Sequence, residues 1–277
     1  MESPSVVRAV SAVEQRPEAV SITAGQPSSR TSYKVIVVLP VYNEEANIGR
    51  LLDRINEHLS DDFITYQVVA VNDGSADRSP AILEQYSHTQ PVSVYHHKVN
   101  QGLGATLRDG LLYASKVASD KDIIVTMDAD ETHTPGLILR MVRMIREGYD
   151  VVIASRYQRG AMVRGLVMHR RLISWASSWF MRVLFPTRGV RDYTCGYRAY
   201  RADVLKAAVA RYGDRFVDQD GFQCMVDILL KLRRMSLIFG EVPMILRYDF
   251  KKGASKMRVF RTAYNTLRIL MLRRLGK

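Results

Sequence analysis

Only two of the 277 residues are cysteines, Cys195 and Cys224. Two thiols make neither a disulfide framework nor a metal-ligand spacing, so a cystine-stapled secreted domain and a zinc module are excluded. A reducing compartment, the cytoplasm, fits that usage. Long apolar runs are missing too: no stretch approaches the roughly 20 residues that span a bilayer, so membrane contact is expected to be peripheral, on the cytosolic face. The first 30 residues scatter their charges and contain no apolar block, which argues against a secretory signal. Zinc-finger spacing, an aromatic RNA-binding signature and a repeated Lys/Arg tract are absent, which sets nucleic acid aside as a partner. There is no internal repeat.

What the chain has in excess is positive charge, and it is unevenly placed. The net charge is +12, but residues 1–150 hold 14 Lys and Arg against 20 Asp and Glu, whereas residues 151–277 hold 26 against 8. The halves therefore carry −6 and +18. A basic half suits a phosphorylated ligand or an anionic membrane surface, with plain solubility as the bland alternative. A hydrophobic fraction of 47% excludes wholesale disorder.

Residues 1–32 are rich in Ser, Ala, Glu and Pro without periodicity and read as a flexible tail. Continuous β-branched runs follow at Val35–Pro40, Tyr66–Val71, Asp122–Met127 and Val151–Ser155, with a shorter one at Val92–His96. Helical stretches separate them, near Glu45–Leu59, Pro80–Tyr86, Gly104–Lys116 and Leu137–Glu147. This alternation predicts an α/β fold with a mostly parallel sheet covered on both faces. Later elements are expected as helices near Gly165–Leu184, Gly221–Arg233 and Val259–Leu272, and a strand at Ile238–Pro243.

Two acidic turns, Asn72-Asp73-Gly74-Ser75 and Asp128-Ala129-Asp130, stand at predicted strand carboxyl ends. Ligands of parallel sheets bind there, so the two turns are expected to share a cleft. Asp128 and Asp130 can share Mg²⁺ or Mn²⁺, which in turn can bridge diphosphate oxygens. An isolated Asp-x-Asp is more often a solvated turn, and Gly102-x-Gly104 alone is no dinucleotide fingerprint.

Taken in order, the motifs are more specific than any one alone. Val38-Leu39-Pro40-Val41-Tyr42-Asn43-Glu44-Glu45, Val71-Asn72-Asp73-Gly74-Ser75, Asn100-Gln101-Gly102-Leu103-Gly104 and Asp128-Ala129-Asp130 follow one another as in the inverting nucleotide-sugar glycosyltransferases of the GT-A fold, which the chain resembles. Ser155-Arg156-Tyr157, Arg170–Ser174, Thr194–Tyr200, Gly240–Pro243 and Gly253–Lys256 narrow the resemblance to the polyprenyl-phosphate glycosyltransferases, and among them to the dolichol-phosphate mannose synthases. It covers roughly residues 34–270.

The resemblance implies a GT-A domain over residues 33–257, with a donor-binding half to about 155 and an acceptor-binding half after it, and apolar spacing predicts a basic amphipathic C-terminal helix over 258–277. The resemblance also implies donor contacts at Pro40, Tyr42, Glu44, Val71, Asp73, Asp128, Ala129, Asp130, Arg156 and Lys256. Asp128 and Asp130 are the implied metal ligands, with Asp130 also catalytic. Arg156, Arg170 and Ser174 are the implied acceptor-phosphate contacts, and Gly253 a hinge for the Lys256 loop. Asp227 stands where the family usually has a glutamate. It is read as a catalytic or sugar-orienting carboxylate, with a helix-surface carboxylate as the equal alternative. The implied partners are a nucleotide sugar, GDP-mannose first, and a polyprenyl phosphate at a membrane surface, with Mg²⁺ or Mn²⁺. UDP-glucose as donor, a soluble or polysaccharide acceptor, and a non-catalytic nucleotide- or lipid-binding protein remain open.

Two departures stand out. Thr132 replaces a glutamine that the family places after the acidic pair, and Glu131 adds a third carboxylate as a candidate ligand. The usual arginine before the Gly-x-Ser-Lys loop is out of register, with Arg247, Lys251 and Lys252 as nearby substitutes.

Overall fold

A computed structural model describes residues 32–61, 64–165 and 178–247. The expected tail, Arg170, Ser174, Lys251, Lys252, Gly253, Lys256 and the C-terminal helix lie outside the described residues, as does the Arg247 side chain. The first half alternates strand and helix: β1 (Lys34–Val41), α1 (Ile48–Asp61), β2 (Thr65–Asp73), α2 (Ser79–Ser87), β3 (Val92–His97), α3 (Leu103–Val117), β4 (Ile123–Thr126), α4 (Leu137–Arg146) and β5 (Val151–Ser155). The second half adds β6 (Met162–Arg164), a helix α5 described over 178–184, β7 (Arg198–Arg201), α6 (Ala202–Tyr212) and a 3₁₀ turn (Gly213–Val217). It closes with α7 (Cys224–Arg233), β8 (Phe239–Pro243) and β9 (Ile245–Arg247).

Seven strands form one sheet in the order β3-β2-β1-β4-β7-β5-β8, and β6 pairs with β9 apart from it. All neighbours in the large sheet run parallel except β7, which is antiparallel to both β4 and β5. Val35 to Leu39 of β1 are all fully buried. Successive side chains on a strand point to opposite faces, so helices must cover both sides of the sheet. α1 buries Ile48, Leu51, Leu52, Ile55 and Leu59, the stripe of a helix lying on a core. α3 approaches more closely, because a Cβ on Gly110 would come within 2.6 Å of Val38 Cγ1.

The expected mostly parallel α/β sheet of the GT-A type is present. β7, α6 and the β6–β9 pair stand outside the elements expected from the sequence. β7 was hidden because it carries Arg198 at the centre of the sheet, against the rule that buried strands read apolar. Arg198 is fully buried, and it donates to the Met225 carbonyl (2.8 Å) and the Tyr193 carbonyl (2.9 Å).

Candidate active site at the carboxyl edge of the sheet

The chain runs from β1 outward to β2 and β3, then returns to lay β4 on the other side of β1. That reversal is a topological switch point, where parallel sheets open a crevice at their carboxyl ends. Strand register fixes which residues share that edge. Pro40 pairs with Val71, and Val71 with Tyr95. Val38 pairs with Thr126, and Thr126 with Arg198, so two residues further on Pro40, Asp128 and Gly196 are level. Ile153 also pairs with Arg198, and Ser155 with Pro243, which extends the row across the sheet. The motifs at residues 40, 71, 128, 155, 196 and 243 thus lie along one edge. Ser155, the residue before Arg156, is about 10 Å, or two strand spacings, from the level of Asp128.

The acidic turn is built from within. The Asp128 amide donates to His133 Nδ1 (3.1 Å), so the imidazole proton sits on Nε2, which is 3.8 Å from Asp128 Oδ2. His133 stacks on Tyr197 at 4.9 Å between ring centroids, and the Tyr197 hydroxyl donates to the Thr134 carbonyl (2.9 Å). Thr132 donates to Asp130 Oδ1 through its hydroxyl (2.6 Å) and its amide (3.2 Å), so the residue replacing the family's glutamine orients the second carboxylate. Gly196 opposes Asp128, and a Cβ there would lie 3.6 Å from Oδ1. Ala129 is buried beneath the pair.

Asp128 and Asp130 remain half-buried, which suits metal ligands that also meet substrate. Mg²⁺ is typically held by one or two carboxylates, with substrate phosphates and water completing its shell. The pair fits that pattern, whereas among the described residues no group of three His, Cys, Asp or Glu could cage a metal. Glu131 does not join it, contrary to the sequence expectation. Its backbone is left-handed at φ 58°, and its carboxylate is bound to Arg50 at 2.6 Å.

Across the switch point, Tyr42 is 38% exposed at the end of β1, open enough to pack on a ring. The Glu44 carbonyl accepts from the Asn47 and Ile48 amides and starts α1, while its carboxylate accepts from Asn47 Nδ2 (2.8 Å). Val71 is fully buried, with its side chain against the Gly110 position of α3, so only its backbone faces the row. Asp73 is nearly enclosed. Its Oδ1 accepts from His97 Nδ1 (2.7 Å) and the Gln101 amide (2.8 Å), and its Oδ2 accepts from the Gly102 amide (2.9 Å). Asp73 therefore ties the turn before α3 to the end of β2.

The basic half meets this edge through Arg156. Its guanidinium is held by Asp192, which is fully buried, and Nη2 also donates to the Thr194 hydroxyl (2.5 Å). Asp192 in turn is held by Glu241, whose carboxylate accepts from the Arg191 amide (2.6 Å) and the Asp192 amide (2.7 Å). Burial pushes the Glu241 carboxyl up, whereas the Asp192 carboxyl is lowered because the Arg156 charge outweighs its own burial. Neither Asp192 nor Glu241 was singled out from sequence as a site residue, although one stands two residues before Thr194 and the other lies inside a quoted motif. Burial pushes both thiols, Cys195 and Cys224, up to about 12, so they are core groups rather than nucleophiles.

Asp227 is not on the helix surface. Only 1% exposed, it lies 2.5 Å from Lys231 Nζ, and burial raises its carboxyl above the usual range. Lys231 also reaches Asp218 (3.3 Å) and the Arg215 and Phe216 carbonyls. The cluster anchors the segment before α7. That segment's Asp220 carbonyl accepts from the Gly104 amide at the start of α3 (3.0 Å). A separate open groove between α1 and α2, lined by Arg50, Asp53 and Tyr86, contains none of the expected donor residues.

The chain is similar to known glycosyltransferases. The family model "Glycosyl transferase family 2" matches residues 36–208. A dolichol-phosphate mannosyltransferase of Pyrococcus furiosus is 30% identical over 81% of this chain, which spans 59% of that relative's length. An undecaprenyl-phosphate mannosyltransferase of Micrococcus luteus is 30% identical over 81% of this chain and 87% of its own. Among solved structures, glucosyl-3-phosphoglycerate synthase from Mycobacterium tuberculosis in complex with Mn²⁺ and UDP superposes with a TM-score of 0.63. That match has 20% identity and covers 88% of this chain and 81% of the other. With the family model spanning most of the sheet and its acidic turn, the chain belongs to glycosyl transferase family 2.

Proposed function

We propose that this protein transfers a hexose, mannose from GDP-mannose, to a polyprenyl phosphate, using Mg²⁺ or Mn²⁺ at Asp128 and Asp130. The observation that carries the reading is the single row along the carboxyl edge, with the acidic pair near the switch point and Arg156 two strands away. The named functions of the mannosyltransferase relatives support the same acceptor class. Tyr42 packs on the nucleoside, with Pro40, Glu44 and the Val71 backbone around it and Asp73 shaping the turn beside it. Asp128 and Asp130 would hold the divalent cation, which when bound would supply charge neutralisation for the departing diphosphate.

Arg156 engages the acceptor phosphate through Nη1, since Nε and Nη2 are taken by Asp192 and Thr194. Arg170 and Ser174 complete that contact, and Lys256 meets the donor phosphates. An acceptor oxygen attacks the anomeric carbon in line, the C–O bond to the nucleoside diphosphate breaks, and configuration inverts. A phosphate monoester has a second pKa of about 6 and needs little help from a base at neutral pH. Asp227, enclosed with Lys231, is therefore assigned to holding the segment before α7. Positioning and charge stabilisation supply most of the rate.

Membrane contact is assigned to α5. Trp179 (54% exposed), Phe180 (40%) and Val183 (58%) face outward, while Ser178 and Met181 face the core. Arg182 lies among them and suits anionic headgroups. Among the described residues no helix is long and apolar enough to cross a membrane.

The test is a donor-by-acceptor assay with purified protein, Mg²⁺ or Mn²⁺ and a polyprenyl phosphate. A butanol-extractable glycolipid formed best from GDP-mannose is the expected product. Glycosylation of a soluble acceptor alone would refute the lipid reading, and nucleotide binding without turnover for any pair would refute the enzyme.

A further inference from the structure

His97 ends β3 with its ring wholly enclosed, its side chain 1% exposed. Both ring nitrogens face carboxylates: Nδ1 is 2.7 Å from Asp73 Oδ1 and Nε2 is 3.1 Å from Asp109 Oδ2. An ionised carboxylate only accepts hydrogen bonds, so a ring that bonds two of them must carry a hydrogen on each nitrogen. The groups facing it are Asp73 from β2 and Asp109 from α3, with Arg108 pairing Asp109 at 3.1 Å from the outside. These two acids raise its pKa to about 9 against the opposing effect of burial.

The consequence reaches the edge of the site. The Asp73 carboxylate is the staple between the end of β2 and the Gln101–Gly102 turn, and among the described residues His97 is its one cationic donor. Around it the two loops interlock. Gly74 has φ +63°, and a Cβ there would come within 2.6 Å of the Asn100 amide nitrogen. A carboxylate turned away from this position would release the Gln101 and Gly102 amides and loosen the start of α3. We propose that His97 is a positioning residue of the donor side, doubly bonded between Asp73 and Asp109 so that Asp73 and the turn before α3 hold the nucleoside's wall in place. This rests on the donor-site reading given above.

The test uses the full chain and measures direct binding of GDP and UDP with Mn²⁺ by calorimetry, alongside steady-state kinetics. His97→Gln keeps one amide donor and loses the charge. It is expected to weaken nucleoside diphosphate binding and raise donor KM about tenfold, with kcat and acceptor KM within twofold. His97→Arg, cationic with several donors, is expected to recover part of the binding. Asp109→Asn, which loosens the ring without touching Asp73, is expected to shift donor KM in the same direction by less. Circular dichroism and thermal melts on each variant separate a lost wall from a lost fold. Unchanged donor affinity in a folded His97→Gln protein overturns the proposal, as does a fall in kcat at constant donor KM. If His97→Gln unfolds, Asp109→Asn decides by the same two criteria. If the wild-type protein binds neither nucleotide, the donor-site reading itself fails and this inference with it.

Discussion

Arg156 lies fork to fork on Asp192, with Nε 2.8 Å from Oδ2 and Nη2 2.7 Å from Oδ1. The Arg156 amide donates to the same Oδ2 at 3.0 Å, so one acid fixes both the backbone and the head of this arginine. A planar guanidinium held on one edge presents its other edge in a set direction, which a lysine could not do.

Removing Asp192 therefore leaves a largely enclosed cation without its partner. Asp192→Ala is expected to lose about 3–5 kcal/mol of stability, the usual cost of breaking a buried pair from one side. Chemical denaturation checks the magnitude. Because the Asp192 carboxyl is lowered in the folded state, its contribution is present above the ordinary carboxylate range and is lost as pH falls through the folded value. The wild-type stability curve should show that acid-side loss, and the Asp192→Ala curve should lack it.

Thr132 is expected to act through Asp130. Thr132→Val keeps the volume but removes the 2.6 Å bond to Oδ1. Loss of such an outer partner commonly costs about tenfold or more in metal affinity. Mn²⁺ titration in the presence of GDP should show that loss with an unchanged melting temperature. Asp130→Asn, by contrast, should nearly abolish turnover in a folded protein.

His97 gives stability an alkaline limit. Its folded pKa, about 9, lies above the unfolded value of 6.5, so its contribution is complete below pH 6.5 and disappears as pH rises through about 9. The full effect is of order 3 kcal/mol. Urea midpoints measured from pH 6 to 10 should fall across that window in the wild type. They should change far less in His97→Gln.

Gly104 marks one close contact between the two halves of the chain. A Cβ there would sit 1.7 Å from the Gln219 carbonyl oxygen, a backbone atom unable to step aside. Gly104→Ala is expected to cost about 3 kcal/mol, the upper end for overpacking. Gly148 has φ +110° but nothing within 4 Å of its Cβ position, so Gly148→Ala should show conformational strain alone, about 1–2 kcal/mol. Thermal unfolding of the two variants separates steric blockage from strain.

The strands were legible because burial on both faces writes a continuous apolar run, as in Val35 to Leu39 and Val151 to Ala154. Helix α1 was legible from its 3.6-residue stripe. Strand β7 was not, because a strand that carries a buried arginine reads as polar until the carbonyls of Tyr193 and Met225 are seen beside it. By itself the sequence determined the alternating α/β order, the acidic turns at strand ends and the ordered motifs that mark the family. The charge split also lay in the sequence, with −6 over residues 1–150 and +18 over residues 151–277. Tertiary structure decided which charges are free to act. It enclosed Asp227 with Lys231, turned Glu131 onto Arg50, closed Asp73 around His97 and fastened Arg156 to Asp192. Formal charge is a property of residue type, but availability depends on partners many positions away in the chain. Only strand register and loop packing bring those partners within hydrogen-bond range.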